Sequence, residues 1–249
     1  MLHIGLDDTD SVKGGCTTWL ATKVIQELSE FDLIDYPRLV RLNPNVPWKT
    51  RGNGAVALIL GKGTGSKKLI GELDGKPFFI FEKSTEIKYD KRQILDRVLN
   101  LIHKYSMPDS EPGVIISDSF LPEGLYWQGV SNIVTKDMLL ESTEGTVYSG
   151  LRGSRGLFGA ACSLAWSGNS SKSTGISHTW ELIGYRNQDN WGTKRNIDSS
   201  AVQKISNIET VFSCTDLDGK VAMVPIFQCP FLWVFGGTIP VKLFQILEK

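Results

Sequence analysis

The sequence has few of the residues that cross-link or anchor a protein. Its 249 residues include only four cysteines, which are far apart and form no C-x-x-C pair. This usage argues against a disulfide scaffold and against a zinc site, and it fits a reducing compartment. The sequence also lacks the pattern of a signal peptide, and no apolar run approaches the ~18 residues that a membrane helix needs. We therefore expect a cytoplasmic protein without a membrane partner.

Net charge is absent as well. The 27 basic and 27 acidic side chains cancel, so the overall charge favours no class of partner. Any surface that binds a nucleic acid must then be a local patch. Signatures of nucleophilic catalysis are missing too, because no G-x-S-x-G segment occurs and the three histidines are isolated in the sequence.

The predicted strands and helices do not alternate strictly, which is typical of an α+β protein. Hydrophobic periodicity predicts a short strand at 2–6 that leads into a helix over 17–31. The segment GKGTGSKK (61–68) has the composition of a turn, and MPDSEPG (107–113) has that of a linker. We therefore place a domain boundary between residues 110 and 111, and the second part resembles a ferredoxin-like arrangement. The other predicted elements are strands at 38–42, 55–60, 78–82, 114–118, 146–150 and 178–186, helices over 88–105, 124–141 and 156–166, and a hairpin over 209–224.

An acidic turn follows the first predicted strand, in the string GLDDTDSVKGGCTTWLA (5–21). Asp7, Asp8 and Asp10 crowd three carboxylates together, and Gly14 and Gly15 would let a phosphate approach the backbone. A strand end that leads into a helix N-terminus is a common phosphate-binding place, and carboxylates there can hold Mg²⁺ on the phosphates. The turn therefore favours a metal–nucleotide site. The alternative is that the aspartates only cap the helix and form a solvated turn.

A basic segment, RLVRLNPNVPWKTRGNGAV (38–56), is the second candidate. Its prolines stiffen a loop that carries positive and amide side chains suited to phosphate, and Trp48 could stack on a base. The residues assigned to ATP binding here are Arg41, Asn43, Lys49 and Arg51. The alternative is a solvated hairpin loop whose tryptophan closes the core.

A glycine-rich segment, GLRGSRGLFGAAC (150–162), is the third candidate. Its glycines recur at three-residue steps and alternate with Arg152 and Arg155. Such a loop could cradle an anion at the start of a helix, or it could let a helix pack tightly on a sheet.

Four strings together resemble one archaeal family, the tRNA 2-agmatinylcytidine synthetases (TiaS): GLDDTDSVKGGCTT, RLVRLNPNVPWKTRGNGAV, RGLFGA and TWELIGYR. The resemblance implies an ATP-binding kinase-like domain over 1–110 and a ferredoxin-like domain over 111–249. In that family an OB-fold and a zinc ribbon follow these domains. The family enzyme is an ATP-dependent ligase that modifies tRNA, attaching agmatine to C2 of the wobble cytidine of an isoleucine tRNA.

The resemblance also implies roles for particular residues. Asp7, Asp8 and Asp10 match the acidic motif that would hold Mg²⁺ on ATP, and Thr18 matches a threonine that is autophosphorylated in the family. A phosphate at the start of a helix gains from the dipole and the free N–H groups. The catalytic set is therefore Asp7, Asp8 and Thr18, with Asp10, Gly14 and Gly15 added to the ATP site. The expected substrate-binding residues are Trp48, Arg155 and Glu181, of which Glu181 could face the agmatine guanidinium or serve only as a cross-strand structural residue.

The sequence departs from the family pattern in three places. It ends at Lys249, before an OB-fold or a zinc ribbon, and we expect this chain alone to bind ATP well and tRNA weakly. The glycine loop reads RGSRG (152–156) where the family has GNGRG, and PFLWVFGGTIP (230–240) replaces an arginine–glycine–glutamate version. Two alternatives therefore stay open: a paralogue that transfers phosphoryl groups to another acceptor, and a non-catalytic module that binds a nucleotide or RNA.

Overall fold

A mixed sheet of seven strands organises the first 150 residues of this computed structural model. The structure describes residues 1–43, 46–50, 53–73, 76–166, 208–215 and 221–227, with the backbone alone at 41, 70–73, 76, 131, 208–215 and 221–227. The strands are β1 (Leu2–Asp7), β2 (Asp32–Leu33), β3 (Arg38–Arg41), β4 (Gly54–Leu73), β5 (Lys76–Thr85), β6 (Gly113–Ser117) and β7 (Val147–Gly150). Their order is β2-β5-β4-β1-β6-β7, and β3 also pairs with β4. β1 therefore lies near the centre, antiparallel to both β4 and β6.

Five helices cover this sheet within the described ranges. They are α1 (Thr17–Glu27), α2 (Lys91–Tyr105), α3 (Glu123–Ser131), α4 (Lys136–Ser142) and α5 (Gly156–Leu164). Further along the chain, β8 (Ile208–Thr215) and β9 (Val221–Phe227) pair antiparallel as the predicted hairpin. None of the described helices is both long and apolar enough to cross a membrane. The predicted α+β fold class is confirmed.

Both faces of the central strands are buried, and this places the end of β1 between two helical layers. Leu2, Ile4 and Leu6 point to one face and pack into a core with residues of α1 and α2. The opposite face packs against α3, α4 and α5. The backbone of α5 comes very close to the sheet, because a Cβ on Gly113 would lie only 2.6 Å from Leu157 Cα. This close approach brings the N-terminus of α5 beside the last residues of β1.

Two predictions about loops are corrected by the structure. Residues 61–68, predicted as a turn, lie inside β4, which continues to Leu73 with β5 beside it. Glycine and lysine are uncommon in strands, but strand propensity depends strongly on context. Here the pairing of β4 with β5 outweighs the local preference of these residues for a turn. The irregular register between Thr64 and Lys67 and the positive φ of Gly65 indicate a bulge at Gly65, whereas Gly63 pairs regularly with Ser84.

Residues 107–113, predicted as a linker, form a loop fastened to the acidic turn. The Met107 N–H donates to the Thr9 carbonyl at 3.0 Å, and Ser110 is buried. The loop leads from α2 into β6, a direct neighbour of β1. The predicted boundary at 110/111 therefore falls within the connections of a single sheet. Composition misled the prediction because proline, aspartate, serine and glycine also suit a partly buried loop whose polar groups bond to the protein.

Most other predicted elements are confirmed with shifted ends. The first helix is shorter than predicted, since it ends at Glu27. The helical stretch predicted over 124–141 is divided into α3 and α4. The strand predicted at 178–186 lies outside the described residues.

Candidate active-site cleft

A cleft of about 190 Å³ opens at the end of β1. Four parts of the chain form its walls: the acidic turn, the loop between β3 and β4, the connection between α3 and α4, and the start of α5. The three segments singled out in the sequence as separate candidates therefore meet at one place. They come together because β1, β3 and β6 are close in the sheet and α5 packs directly on it.

The cleft lining includes a group of charged and polar side chains, which we call its charged end. Its lining carries three carboxylates, two positively charged side chains and a hydroxyl, from Asp7, Asp8, Asp10, Lys49, Arg155 and Thr50. Negative and positive groups thus face the same small space. Such a mixture suits a polyanion that binds together with a cation, because each sign of charge then finds a partner.

The remaining lining is largely apolar, from Leu42, Val46, Trp48, Ile133, Val134 and Phe158. Trp48 is 50% exposed and Ile133 is 55% exposed, although both are large apolar side chains. Exposed side chains of this kind on a concave wall are typical of a site that receives a flat or apolar group. The cleft therefore combines a charged end with a surface suited to an aromatic ring.

The Asp7 carboxylate reaches the cleft because α5 has a glycine beside it. A Cβ built on Gly159 would lie 2.7 Å from Asp7 Cγ and closer still to its Oδ2. Only a residue without a side chain leaves room for that carboxylate against the helix. The glycine steps at 156 and 159 thus serve tight packing of α5, and the packing in turn seats a candidate catalytic group.

Asp8 is fixed by two hydrogen bonds from distant parts of the chain. The Thr50 hydroxyl donates to Oδ1 at 3.3 Å, and the backbone N–H of Glu111 donates to Oδ2 at 3.3 Å. Asp8 also has a φ of +53°, a left-handed conformation that aspartate tolerates better than most residues. The turn at Asp8 therefore directs successive carboxylates along the wall of the cleft.

The pKa values in the turn reflect crowding of negative charge. Burial, followed by the neighbouring charge of Asp8, raises the pKa of Asp7 well above that of a free carboxyl group. Burial also raises the pKa of Asp8, against the opposing effect of the Glu111 hydrogen bond. Two carboxylates that resist ionisation together would be stabilised by a cation.

The acidic turn does not offer three converging ligands for a metal by itself. Among the described residues, no group of three or more histidine, cysteine, aspartate or glutamate side chains is arranged to hold a metal ion. Mg²⁺ does not require one, because it usually binds through one or two carboxylates together with substrate phosphates and water. Asp7 and Asp8, which line one cleft, fit Mg²⁺ in this shared manner.

The structure brings together six of the residues that the sequence analysis selected. Asp7, Asp8, Asp10, Trp48, Lys49 and Arg155 all line the cleft. Asn43 does not line it and is buried, with its side chain donating to the Asn132 carbonyl at 3.2 Å. Its predicted contact with ATP therefore has no support from its position. Gly14 and Gly15 are absent from the lining too, and the side chains of Arg41, Arg51 and Glu181 lie outside the described residues.

Thr18 lies in the first turn of α1, as predicted, but it does not face the cleft. Its side chain is 6% exposed and its hydroxyl contacts Cys16 Sγ at 3.0 Å. The neighbouring Thr17 instead ties the helix start to the acidic turn, since Thr9 donates to its hydroxyl at 3.0 Å. For Thr18 to accept a phosphoryl group, the start of α1 would have to open.

Three residues at the cleft or behind its wall were missed in the sequence. Ile133 belongs to no motif, Thr50 was not singled out within the basic string, and Glu111 stands in the segment read as a linker. A weak signal was available for Thr50, which lies inside the basic string between Lys49 and Arg51. Glu111 carried no signal, because its partners are 103 residues earlier in the chain and in the later glycine loop.

Comparison with known proteins identifies relatives over the whole chain. Residues 3–150 match a family model described as the TiaS TCKD domain, and residues 154–249 match the TiaS FLD domain. These segments divide near residue 150, whereas the boundary predicted from composition lies at 110/111.

Curated relatives carry the name TiaS and are described as 2-agmatinylcytidine synthetases of an isoleucine tRNA. The protein of Acidilobus saccharovorans is 34% identical over 265 residues, covering 100% of this chain and 53% of its own length. That of Thermococcus sibiricus is 32% identical over 273 residues, covering 99% of this chain and 57% of its own length. The chain thus spans about half the length of these relatives.

Solved structures show the same fold. The crystal structure of TiaS in complex with its isoleucine tRNA and ATP aligns with a TM-score of 0.57 at 24% identity, covering 98% of this chain and 54% of that one. A TiaS complex with the same tRNA, AMPCPP and agmatine aligns with a TM-score of 0.55 at 23% identity, covering 98% and 55%.

Proposed function

Because this chain belongs to the TiaS family, we propose that it is an ATP-dependent ligase that attaches agmatine to the wobble cytidine of an isoleucine tRNA. The observation that carries the proposal is the cleft, in which the acidic turn, two cationic side chains and an exposed tryptophan face one space. Related proteins have been crystallised with an isoleucine tRNA, ATP, an ATP analogue and agmatine. A tRNA substrate would place the activity in the cytoplasm.

The charged end of the cleft is the proposed site for the ATP phosphates. Lys49 and Arg155 would pair with phosphate oxygens, and the planar guanidinium of Arg155 can offer two parallel N–H donors. Asp7 and Asp8 would hold Mg²⁺, with Asp10 nearby, and a bound Mg²⁺ would neutralise charge on the phosphates. A bound cation would offset the electrostatic repulsion between the Asp7 and Asp8 carboxylates.

The apolar lining is the proposed site for a ring of the nucleotide or of the target base. Trp48 and Ile133 are exposed on the cleft, so either could cover a flat ring without a rearrangement of the core. Stacking of a base on an aromatic side chain contributes about 1–3 kcal/mol per base. Trp48 would therefore affect affinity more than the chemical step.

The chemistry would activate the C2 oxygen of cytidine before the amine attacks. That oxygen is a poor leaving group, and transfer of a phosphoryl group from ATP makes it a good one. Transfer of the phosphoryl group releases ADP. The neutral agmatine amine then forms the C2–N bond, the phosphorylated oxygen departs as phosphate, and the new C2–N group loses one proton to solvent. Arg155 and Lys49 would stabilise negative charge during both steps. Glu181, outside the described residues, stays our candidate for the agmatine guanidinium, and Thr18 stays a proposed site of autophosphorylation.

Mass spectrometry of the tRNA product tests this proposal directly. The chain is incubated with ATP, Mg²⁺, agmatine and the cognate tRNA, and the nuclease digest is analysed. The expected result is one cytidine heavier by agmatine less one water. A tRNA with another base at the wobble position is the matched substrate control, and the Asp8→Asn variant is the matched protein control. Because this chain alone is expected to bind tRNA weakly, the tRNA is supplied at a concentration that saturates the weak binding. Mg²⁺-dependent ATP binding without any nucleoside product at that concentration would contradict the proposed acceptor and favour another phosphoryl acceptor.

A further inference from the structure

Glu111 joins three parts of the cleft through three separate atoms. Its backbone N–H donates to Asp8 Oδ2 at 3.3 Å, and its carbonyl accepts from the Gly156 N–H at 2.9 Å. Its carboxylate Oε1 lies 2.8 Å from Nη2 of Arg155. Asp8 and Arg155 line the cleft, but Glu111 itself does not. A single residue behind the wall therefore links the acidic turn, the start of α5 and the cationic side chain.

The glycine loop is shaped around this glutamate. A Cβ on Gly153 would lie 2.5 Å from the Glu111 Cδ, so only glycine lets the loop close over the carboxylate. Arg152 adopts a φ of +59° and donates from Nε to the Ser110 carbonyl at 2.6 Å. Its Nη2 donates to the Met107 carbonyl at 2.9 Å. The loop before α5 and the loop before β6 thus fix each other's conformation.

The ion pair between Glu111 and Arg155 matters more for orientation than for stability. The Arg155 side chain is 43% exposed and that of Glu111 is 26% exposed. Ion pairs with this much solvent contribute about 0–1 kcal/mol to folding. A long arginine side chain at a cleft wall otherwise samples many rotamers, and ordering it on ligand binding costs about 0.5–1.5 kcal/mol. Arginine has five N–H donors, so Nη2 can bond Glu111 while the others stay available to a ligand.

We propose that Glu111 is a positioning residue that aims Arg155 at the phosphates of ATP. The inference rests on the proposed function, because it takes the phosphate end of the cleft as the place where Arg155 acts. Glu111 acts through Arg155 and need not touch the substrate. Its carboxylate holds the guanidinium in advance, and its amide hydrogen-bonds Asp8, which lines the same cleft.

A double-mutant cycle with Glu111→Gln and Arg155→Gln tests this role. ATP affinity and turnover are measured by calorimetry and product formation for the wild type, both single variants and the double variant. We expect Glu111→Gln to weaken ATP binding roughly fivefold, as couplings between contacting residues suggest. Arg155→Gln should weaken it more, and the double variant should match Arg155→Gln, because the Glu111 side chain has no other route to the ligand. Glu111→Asp keeps the charge and should restore part of the affinity.

Asp109→Asn is the matched control. Asp109 lies two residues earlier in the same loop and pairs with Lys13 at 3.1 Å, away from the cleft lining. It should bind ATP like the wild type. Thermal unfolding of each variant separates a loss of fold from a loss of positioning.

Additive losses in the double variant, or unchanged ATP affinity in folded Glu111→Gln, would overturn the positioning role and leave the proposed function standing. A wild type that binds no ATP would overturn the proposed function, and the positioning role with it.

Discussion

Replacing Gly159 with alanine should disable the cleft while leaving the fold largely intact. The added Cβ would lie 2.7 Å from Asp7 Cγ, and nearer still to the carboxylate oxygen. Carbon atoms in contact sit about 3.5–4.0 Å apart. The Asp7 carboxylate or the whole of α5 must therefore move by about 1 Å.

The cost to stability should be modest, because two effects oppose each other. Overpacking of a well-packed site costs about 1–3 kcal/mol. Alanine in a helix interior is about 1 kcal/mol more favourable than glycine. The net loss is therefore about 0–2 kcal/mol, whereas a misplacement of about 1 Å in an active site can lower the rate on the order of 100-fold. The loss of activity should far exceed the loss of stability.

Urea unfolding and ATP-dependent product formation measure these two quantities on the same preparations. Gly124→Ala in α3 is the matched control, since an added Cβ there meets nothing within 4 Å. It should be as active as the wild type. A Gly159→Ala variant with wild-type turnover would refute the reasoning, because Asp7 would then not depend on its seat against α5.

Three further results are expected. Asp8→Asn removes one charge at constant size and should weaken Mg²⁺-dependent ATP binding by at least about tenfold, since loss of even a partner behind a metal ligand costs that much. Calorimetry with and without EDTA measures this, and equal affinity in both proteins would contradict a metal role for Asp8. Thr18→Val should abolish protein labelling by γ-labelled ATP, and equal labelling would mean that another residue accepts the phosphoryl group. Burial lowers the pKa of His3 to about 4, so the unfolded chain gains a proton near pH 6.5 while the folded chain does not. The contribution of neutral His3 to the free energy of unfolding is thus fully present above pH 6.5 and falls by about 3 kcal/mol as the pH drops toward 4. Urea unfolding at pH 7 and pH 4.5 should show this loss in the wild type and in a variant of the exposed His103, but not in His3→Phe.

The acidic turn could be predicted from the sequence because its signals are local. An apolar strand, three aspartates and a helix that starts at Thr17 all lie within about twenty residues, and each follows from short-range chemistry. The same holds for the basic loop, whose Lys49 and Trp48 do line the cleft. The local sequence pattern does not show which loops lie next to each other in the folded protein.

The contacts that shape the cleft are long-range and leave no local trace. Gly159 is needed because Asp7 packs against it from the far end of the chain, and a spacing of glycines predicts equally an anion cradle or close packing. The loop at 107–113 read as a linker because its composition is the same whether its polar groups bond to water or to protein. For Thr18 the local prediction was right, because it lies in the first turn of α1. Its burial away from the cleft depends on long-range packing and was not predicted.

Backbone strain around Glu111 explains why the cleft needs these long-range contacts. Among the described residues, Asp8, Arg152 and Ser154 are the non-glycine residues with positive φ, and all three lie in the two loops that Glu111 joins. Each such conformation costs on the order of 1–3 kcal/mol and persists only where its surroundings determine it. That cost is large against a typical folding free energy of about 5–15 kcal/mol. The hydrogen bonds from Glu111 to Asp8 and from Arg152 to Ser110 hold the two loops in these conformations. The strain therefore lies at the proposed phosphate site, where loops already held in shape would lower the ordering cost of binding ATP.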